Sequence, residues 1–206
     1  MAERPLHPHP GSTMPHRSED LYASRPPWDI GRPQPVLRAL ADAGAIQGRV
    51  LDVGCGTGEH ALMAAGLGLN ATGADVALNA LHTAEQKARD RGLRARFLHQ
   101  DARRLADLGE SFDTVLDCGL FHTFTGDDRT AFVDSLRSAI RAGGRYFMLG
   151  FSDQQPDGEG PHRLTREQIT NAFTDGWQLD SIEPATIEVT SEPDGMRAWL
   201  VALTRI

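Results

Sequence analysis

Apolar positions along the chain change period several times, and each change marks an element. "RVLDV" (49–53) is a short, nearly continuous apolar run, and "NATGAD" (70–75) is a second strand-like stretch. Between them the spacing is helical, from about Thr57 to Leu67. A second helix follows, where Leu78, Leu81, Ala84 and Ala88 share one face and Gly92 closes it. "RARFLHQD" (94–101) supplies a third strand and "FDTVLDCG" (112–119) a fourth. "RTAFVDSLRSAIRAGG" (129–144) reads as a helix leading into "RYFMLGF" (145–151), the fifth strand. The unbroken apolar runs of the fourth and fifth predict strands covered on both faces.

The two ends of the chain depart from this alternation. Upstream, Val36, Leu37, Leu40 and Ala41 share one face of a helix opened by Pro35 and ended near Gly44. Downstream, the loop "SDQQPDGEGPHRL" precedes a helix over about Thr165–Phe173. Then "WQLDSIEPATIEV" and "MRAWLVALTRI" are separated only by "TSEPDG", so they should pair as an antiparallel hairpin. Together these elements predict an α/β fold: a doubly wound, seven-stranded, mostly parallel sheet with helices on both faces and a C-terminal antiparallel β-hairpin. Ligands are expected at the carboxyl ends of its strands.

Composition narrows the partners. The chain has 206 residues, and 21 Lys plus Arg against 28 Asp plus Glu leave a formal net charge of -7. That length suits one compact core. The charge opposes nonspecific attraction to nucleic acid or an anionic membrane. No run of apolar residues approaches bilayer length and no apolar signal region opens the chain, so the expectation is cytoplasmic. Cys55 and Cys118 lack metal or redox spacing and read as small, reduced side chains. The first 17 residues, with four Pro and three His, predict a poorly ordered tail, and "HPHP" within it does not converge enough ligands for a metal. Residues 18–34, with the Pro-rich "SRPPWDIGRPQP", form a rigid N-terminal segment, and residues 35–206 form the main domain.

The chemistry concentrates in "VLDVGCGTGEH". Gly54, Gly56 and Gly58 fall in the turn after the first strand, where glycine permits a sharp turn and close approach of a ligand to the backbone. A dinucleotide fingerprint counted from Gly54 wants a small residue where Glu59 stands, and that carboxylate would oppose a pyrophosphate at a helix N-terminus. No Lys-Ser or Lys-Thr follows, so the turn is not a P-loop either. The expected ligand is a nucleoside without phosphates.

"VLDVGCGTGEH" resembles the glycine-rich motif of the class I, Rossmann-like methyltransferases that use S-adenosylmethionine. "GADVA", "HQDAR" and "DCGLFHTF" are similar to the family's segments after the second, third and fourth strands, in the same order. The resemblance implies S-adenosylmethionine as cofactor, S-adenosylhomocysteine as product and no metal. It implies that Asp75 accepts from the ribose hydroxyls, that Val76 packs on adenine, and that Asp101 and the Ala102 amide meet the adenine edge; Asp101 could instead cap the turn that follows. Asp52, Gly54, Cys55, Gly56, Gly58, Asp117 and Cys118 would surround the methionine end, whose two positive groups suit an acidic site. Glu59 and His60 would shape the loop or cap the helix.

"PPWDIGRPQP" resembles the N-terminal segment of the small-molecule branch, the thiopurine, thiol and halide methyltransferase-like proteins, in which it folds over the pocket. Tyr22 and Trp28 would then belong to a lid, or Trp28 would pin the N-terminal arm to the sheet. Phe121, Phe124 and Phe151 would line an aromatic acceptor wall or fill core. His122 is the candidate general base, with substrate orientation as its other reading, and Tyr22 and His162 are weaker candidates. The reaction expected is methyl transfer to N, O, S or halide of a small aromatic or soft acceptor, driven by proximity and desolvation. An RNA or protein methyltransferase would need a basic track beyond Arg89, Arg91, Arg94 and Arg96. A nicotinamide oxidoreductase is opposed by Glu59 and by the C-terminal hairpin. A non-catalytic S-adenosylmethionine-binding protein would keep Asp75 and lose turnover. A monomer or weak homodimer is expected.

Overall fold

A computed structural model describes residues 22–156, 158 and 160–206. The tail expected over residues 1–17 and the start of the lid segment lie outside the described residues. Helix α1 spans Pro35–Asp42, β1 Arg49–Val53, α2 Glu59–Gly66, β2 Asn70–Asp75, α3 Leu78–Asp90 and β3 Ala95–His99. After β4 (Phe112–Cys118) come α4 (Gly126–Ala139), β5 (Ile140–Phe151), α5 (Arg166–Ala172), β6 (Trp177–Val189) and β7 (Glu192–Arg205). The strands form one sheet in the order β3-β2-β1-β4-β5-β7-β6. Strands β1 to β5 run parallel, and β7 pairs antiparallel with both β5 and β6. The predicted seven-stranded sheet with its terminal hairpin is the observed architecture.

Both faces of the sheet are covered, which explains the unbroken apolar runs. On one face, Val115, Tyr146, Met148 and Val201 pack under Phe132, Leu136 and Ala139 of α4 and Ile169 of α5. On the other, Val50, Leu116, Phe147 and Ala202 pack under Ala41 of α1 and Met63 and Ala64 of α2. Helix α5 opens with a capping box, the Thr165 side chain accepting from the Gln168 amide and the Gln168 side chain accepting from that of Thr165.

Three local differences from the expected elements have physical causes. Helix α2 begins at Glu59 because Gly58, at φ +84°, lies outside helical backbone. Helix α4 ends at Ala139, and residues 140–144 enter β5 through a bulge opposite β4 that contains Gly143 at φ +77°. Between β3 and β4 the chain forms 3-10 turns over Ala102–Leu108, an element that the apolar spacing does not announce. The strand order reverses between β1 and β4, so a crevice opens at their carboxyl ends, bordered by the glycine turn and the turn after Cys118.

Candidate active site at the carboxyl ends of the strands

The turn after β1 needs its glycines. Gly54, Gly56 and Gly58 hold φ at 69°, 51° and 84°, where an L side chain costs roughly 1–2 kcal/mol. A Cβ on Gly58 would stand 2.7 Å from that of Ala84, and one on Gly73, in β2 beside the turn, 2.7 Å from the Phe97 ring. The amides of Gly54 and Cys55 both donate to the Ala74 carbonyl, tying the turn to the end of β2. Asp75 completes that end: its carboxylate accepts from the Gly56 amide at 2.8 Å and the Ala77 amide at 2.9 Å. Burial raises its pKa, against the pull of these amides. Val76 beside it is 40% exposed, an apolar face next to a carboxylate.

Two more carboxylates lie underneath. Asp52 is buried, accepts from the Ala61 amide at 3.0 Å, and is raised to about 7, chiefly by burial. Asp117 is fully buried and raised to about 6 by burial. It accepts from the amides of Leu120 and Phe121 and from the Tyr146 hydroxyl at 2.7 Å. Asp117 thereby holds the turn after β4, which brings the Leu120 side chain 3.0 Å from where a Gly54 Cβ would be. Among the described residues no Lys or Arg hydrogen-bonds to or pairs with Asp52, Asp75 or Asp117, so no such cation offsets their ionised forms. Cys55 is buried and Cys118 half-buried, and burial pushes both thiols up.

Glu59 faces away from this crevice. Its carboxylate takes Lys87 of α3 and a bidentate Arg91, the residue capping that helix, all at 2.8 Å, and these bonds overcome the cost of burial to lower its pKa. The repulsion of a pyrophosphate expected of this side chain is therefore neutralised by α3, which leaves the register of the glycines as the argument against a dinucleotide. Arg91 serves Glu59, and Arg96 serves Glu110.

The N-terminal segment lies over the turn. Tyr22 is packed against Gly56, its hydroxyl 2.5 Å from where a Cβ would be, and burial followed by the charge of Asp75 raises its pKa. Trp28, 46% exposed, stands edge-on to the Tyr22 ring at 6.3 Å. Asp29 accepts from the Thr57 hydroxyl at 2.9 Å, and Thr190 at the hairpin end donates to the Pro27 carbonyl at 2.8 Å. The segment thus spans from the glycine turn to the β6–β7 hairpin.

The rings after β4 divide. Phe121 is fully buried between Phe132 and Phe173, and Phe124 packs on Phe132 at 5.0 Å, so both belong to the α4 face of the core rather than to an acceptor wall. The cause is the 3-10 turn Phe121–Thr123, which turns Phe121 inward as Asp117 caps it. Phe151 lies on the other face with Val36, Cys118, Ala185, Val189 and Leu200, around Leu149, Ile187 and Ala198. His122 lies between, 4.8 Å from the Phe151 ring. Its Nδ1 accepts from the Phe151 amide at 3.0 Å, its Nε2 side faces Gly119, and the Gly119 backbone hydrogen-bonds the ring. Burial lowers its pKa to about 4. Asp101 caps the 3-10 turn through the Arg103 amide at 2.9 Å and is ion-paired with the Arg103 guanidinium at 2.7 Å, which lowers its pKa. The adjacent Ala102 amide begins that turn, where backbone donors lack intrahelical partners.

Comparison with known proteins names this arrangement. Residues 50–144 match the model of a methyltransferase domain. Over 171 residues, 82% of this chain and 75% of the relative, the sequence is 34% identical to 2-heptyl-1-hydroxyquinolin-4(1H)-one methyltransferase of Mycobacteroides abscessus. The chain belongs to the S-adenosylmethionine-dependent methyltransferases. It is also 27% identical to Probable thiol methyltransferase 2 of Arabidopsis thaliana over 69% of the chain and 64% of that relative. A chain solved in work on the conversion of a disulfide bond into a thioacetal group during echinomycin biosynthesis superposes on this methyltransferase with a TM-score of 0.82. It is 40% identical, with 92% of this chain and 89% of that chain covered.

The residues present fit that cofactor. A bare glycine turn admits a ligand to the backbone, and buried carboxylates without cationic partners suit a ligand carrying a sulfonium and an ammonium. The structure brings Asp52, the three glycines, Asp75, Val76 and Tyr22 of the methyltransferase together. Sequence reasoning missed Leu120, which lies against Gly54, and Asp29 and Gln34, which anchor the segment above. The "WDIGRPQP" run was the available signal, but its polar members have no periodicity that separates anchors from linker.

Proposed function

We propose that this methyltransferase methylates a hydroxyl, thiol or other soft heteroatom of a small, flat, apolar acceptor, without a protein general base. The observation that carries the reading is that Cys118, at the end of β4, packs with half-buried Val36 and Phe151 around the buried Leu149, while the turn after Cys118 sets Leu120 against Gly54 of the acidic crevice. The relatives support a small acceptor, and the first is named for a hydroxyquinolinone, a flat heteroaromatic bearing a hydroxyl.

When bound, S-adenosylmethionine supplies a methyl on a positively charged sulfur; in-line attack by the acceptor heteroatom takes it, and the C–S electron pair returns to sulfur to leave S-adenosylhomocysteine. In this reading Asp75 accepts from the ribose and Val76 covers one adenine face. Asp52 and Asp75 favour the cationic ligand by charge. Tyr22 and Trp28 exclude water, which strengthens those interactions and strips the nucleophile of its hydration. His122 orients: its Nδ1 lone pair is taken by the Phe151 amide, so the ring has no free site with which to accept a proton. It joins the turn after β4 to the end of β5, and an acceptor hydroxyl loses its proton to water before attack.

Transfer of labelled methyl to a panel of 2-heptyl-1-hydroxyquinolin-4(1H)-one, phenols, thiols, iodide and nitrogen heteroaromatics tests this, with wild type and His122→Asn at several pH values. Label should enter the hydroxyl or thiol acceptors, with a pH profile that follows the acceptor's own ionisation and is the same in both proteins. A rising limb that vanishes in the variant would make His122 the base, and a silent panel would favour a protein that only binds the cofactor.

A further inference from the structure

Gln34 is 2% exposed and every one of its polar groups is paired. Its amide N–H donates to His60 Nε2 at 3.1 Å, and its carbonyl accepts from the Arg38 amide at the start of α1. Its side chain lies along the free edge of β6 as a strand residue would: Nε2 donates to the Glu188 carbonyl at 2.9 Å, and Oε1 accepts from the Glu188 amide at 2.8 Å. The Glu188 carboxylate pairs with Arg32, two residues before Gln34. His60 follows the glycine turn directly, and burial lowers its pKa to about 4, so the ring is neutral and accepts from Gln34. Its approach to Asp52, 4.0 Å away, is then not an ion pair.

The residues that flank this clamp are apolar. Ile187 and Val189, on either side of Glu188 where the β6–β7 register shifts, pack with Val36, Cys118 and Phe151. These five come from α1, β4, β5 and β6, stretches far apart in sequence, and β6 is the edge strand of the sheet. To the pairing of β6 with β7 and the Thr190–Pro27 bond, Gln34 adds a double side-chain hydrogen bond to Glu188, while its own backbone amide is tied to His60.

We propose that Gln34 is a positioning residue for the acceptor, and that Val189, which it holds in place by clamping Glu188, is the side chain that sets the width of the acceptor slot. This rests on the reading that the acceptor lies on the apolar patch beneath the N-terminal segment. A narrow acceptor would tolerate a displaced β6 end; a bicyclic heteroaromatic, in contact with both Phe151 and Val189, would not.

The test compares kcat and KM for a phenol and for the alkylated hydroxyquinolinone, with S-adenosylmethionine affinity measured by calorimetry, in wild type, Gln34→Ala and Val189→Trp. Gln34→Ala should raise the KM of the bicyclic acceptor about tenfold or more and leave cofactor affinity within about twofold. Val189→Trp, at a half-buried position and with its thermal midpoint compared with wild type, should lower kcat/KM for the bicyclic acceptor about tenfold while the phenol changes less than about threefold. Equal effects on both acceptors, or a loss of cofactor affinity matching the loss of acceptor affinity in Gln34→Ala, would overturn the inference alone. No turnover of either acceptor by wild type would overturn the acceptor reading beneath it as well.

Discussion

Asp75 shows how much one side chain is asked to do. It holds the Gly56 amide and its own helix entry through Ala77, and the proposed function adds a ribose to these. Asp75→Ala should weaken S-adenosylmethionine binding by about 2 kcal/mol or more, roughly thirtyfold, the scale of lost charge-assisted hydrogen bonds. Titration calorimetry checks this, and unchanged affinity would remove Asp75 from the ribose role. Asp117 is the counter-example. Its position at the end of β4 resembles a cofactor contact, yet both of its oxygens are occupied by its own turn and Tyr146. Residue type and spacing place a carboxylate at a strand end; they do not say which way it is turned.

At the scale of elements, the segment from Tyr22 to Gln34 has no helix or strand of its own and is held at its middle and at its C-terminal end. The Thr57–Asp29 bond fixes it to the glycine turn, and Pro27 and Gln34 fix it to the hairpin. Prolines lower the entropy lost when such a strap is ordered. Trp28 is nearly half exposed and touches Tyr22 rather than the core. Trp28→Ala should therefore lower acceptor kcat/KM by about tenfold while the thermal midpoint moves by no more than a few degrees. An unfolded or strongly destabilised variant would instead make Trp28 the pin that holds the N-terminal arm on the sheet.

For the whole molecule, the buried carboxylates couple cofactor, pH and stability. Asp52, raised to about 7, and Asp117, raised to about 6, keep protons in the folded chain that the unfolded chain has already released. The stability these two contribute is full below their ordinary pKa of 3.8 and is lost as pH rises through about 6 to 7. A cationic ligand in the crevice favours the ionised form of Asp52. S-adenosylmethionine should therefore raise the thermal midpoint more at about pH 8 than at about pH 5.5, and binding at about pH 6.5 should release protons. S-adenosylhomocysteine, without the sulfonium charge, should release fewer. Calorimetry in two buffers of different ionisation enthalpy measures this; no release with either ligand would separate Asp52 from the cofactor's field.

The sequence by itself determined the sheet and the glycine turn. Apolar runs of strand length, helical spacing between them and glycines that must bend backward are all local, so β1, β2 and β6 were legible to the residue. The nature of the ligand was legible for the same reason, because the glycine register, Asp75 and the order of the later motifs are read along one chain. Only the tertiary structure decided which aromatic rings enter the α4 face of the core, that Glu59 is paired with Lys87 and Arg91, that both ring nitrogens of His122 are engaged by backbone, and that Gln34 joins β6 to His60. Each of these depends on a partner many residues away. Side-chain direction is set by what packs across the sheet, and a one-dimensional pattern carries spacing but not facing.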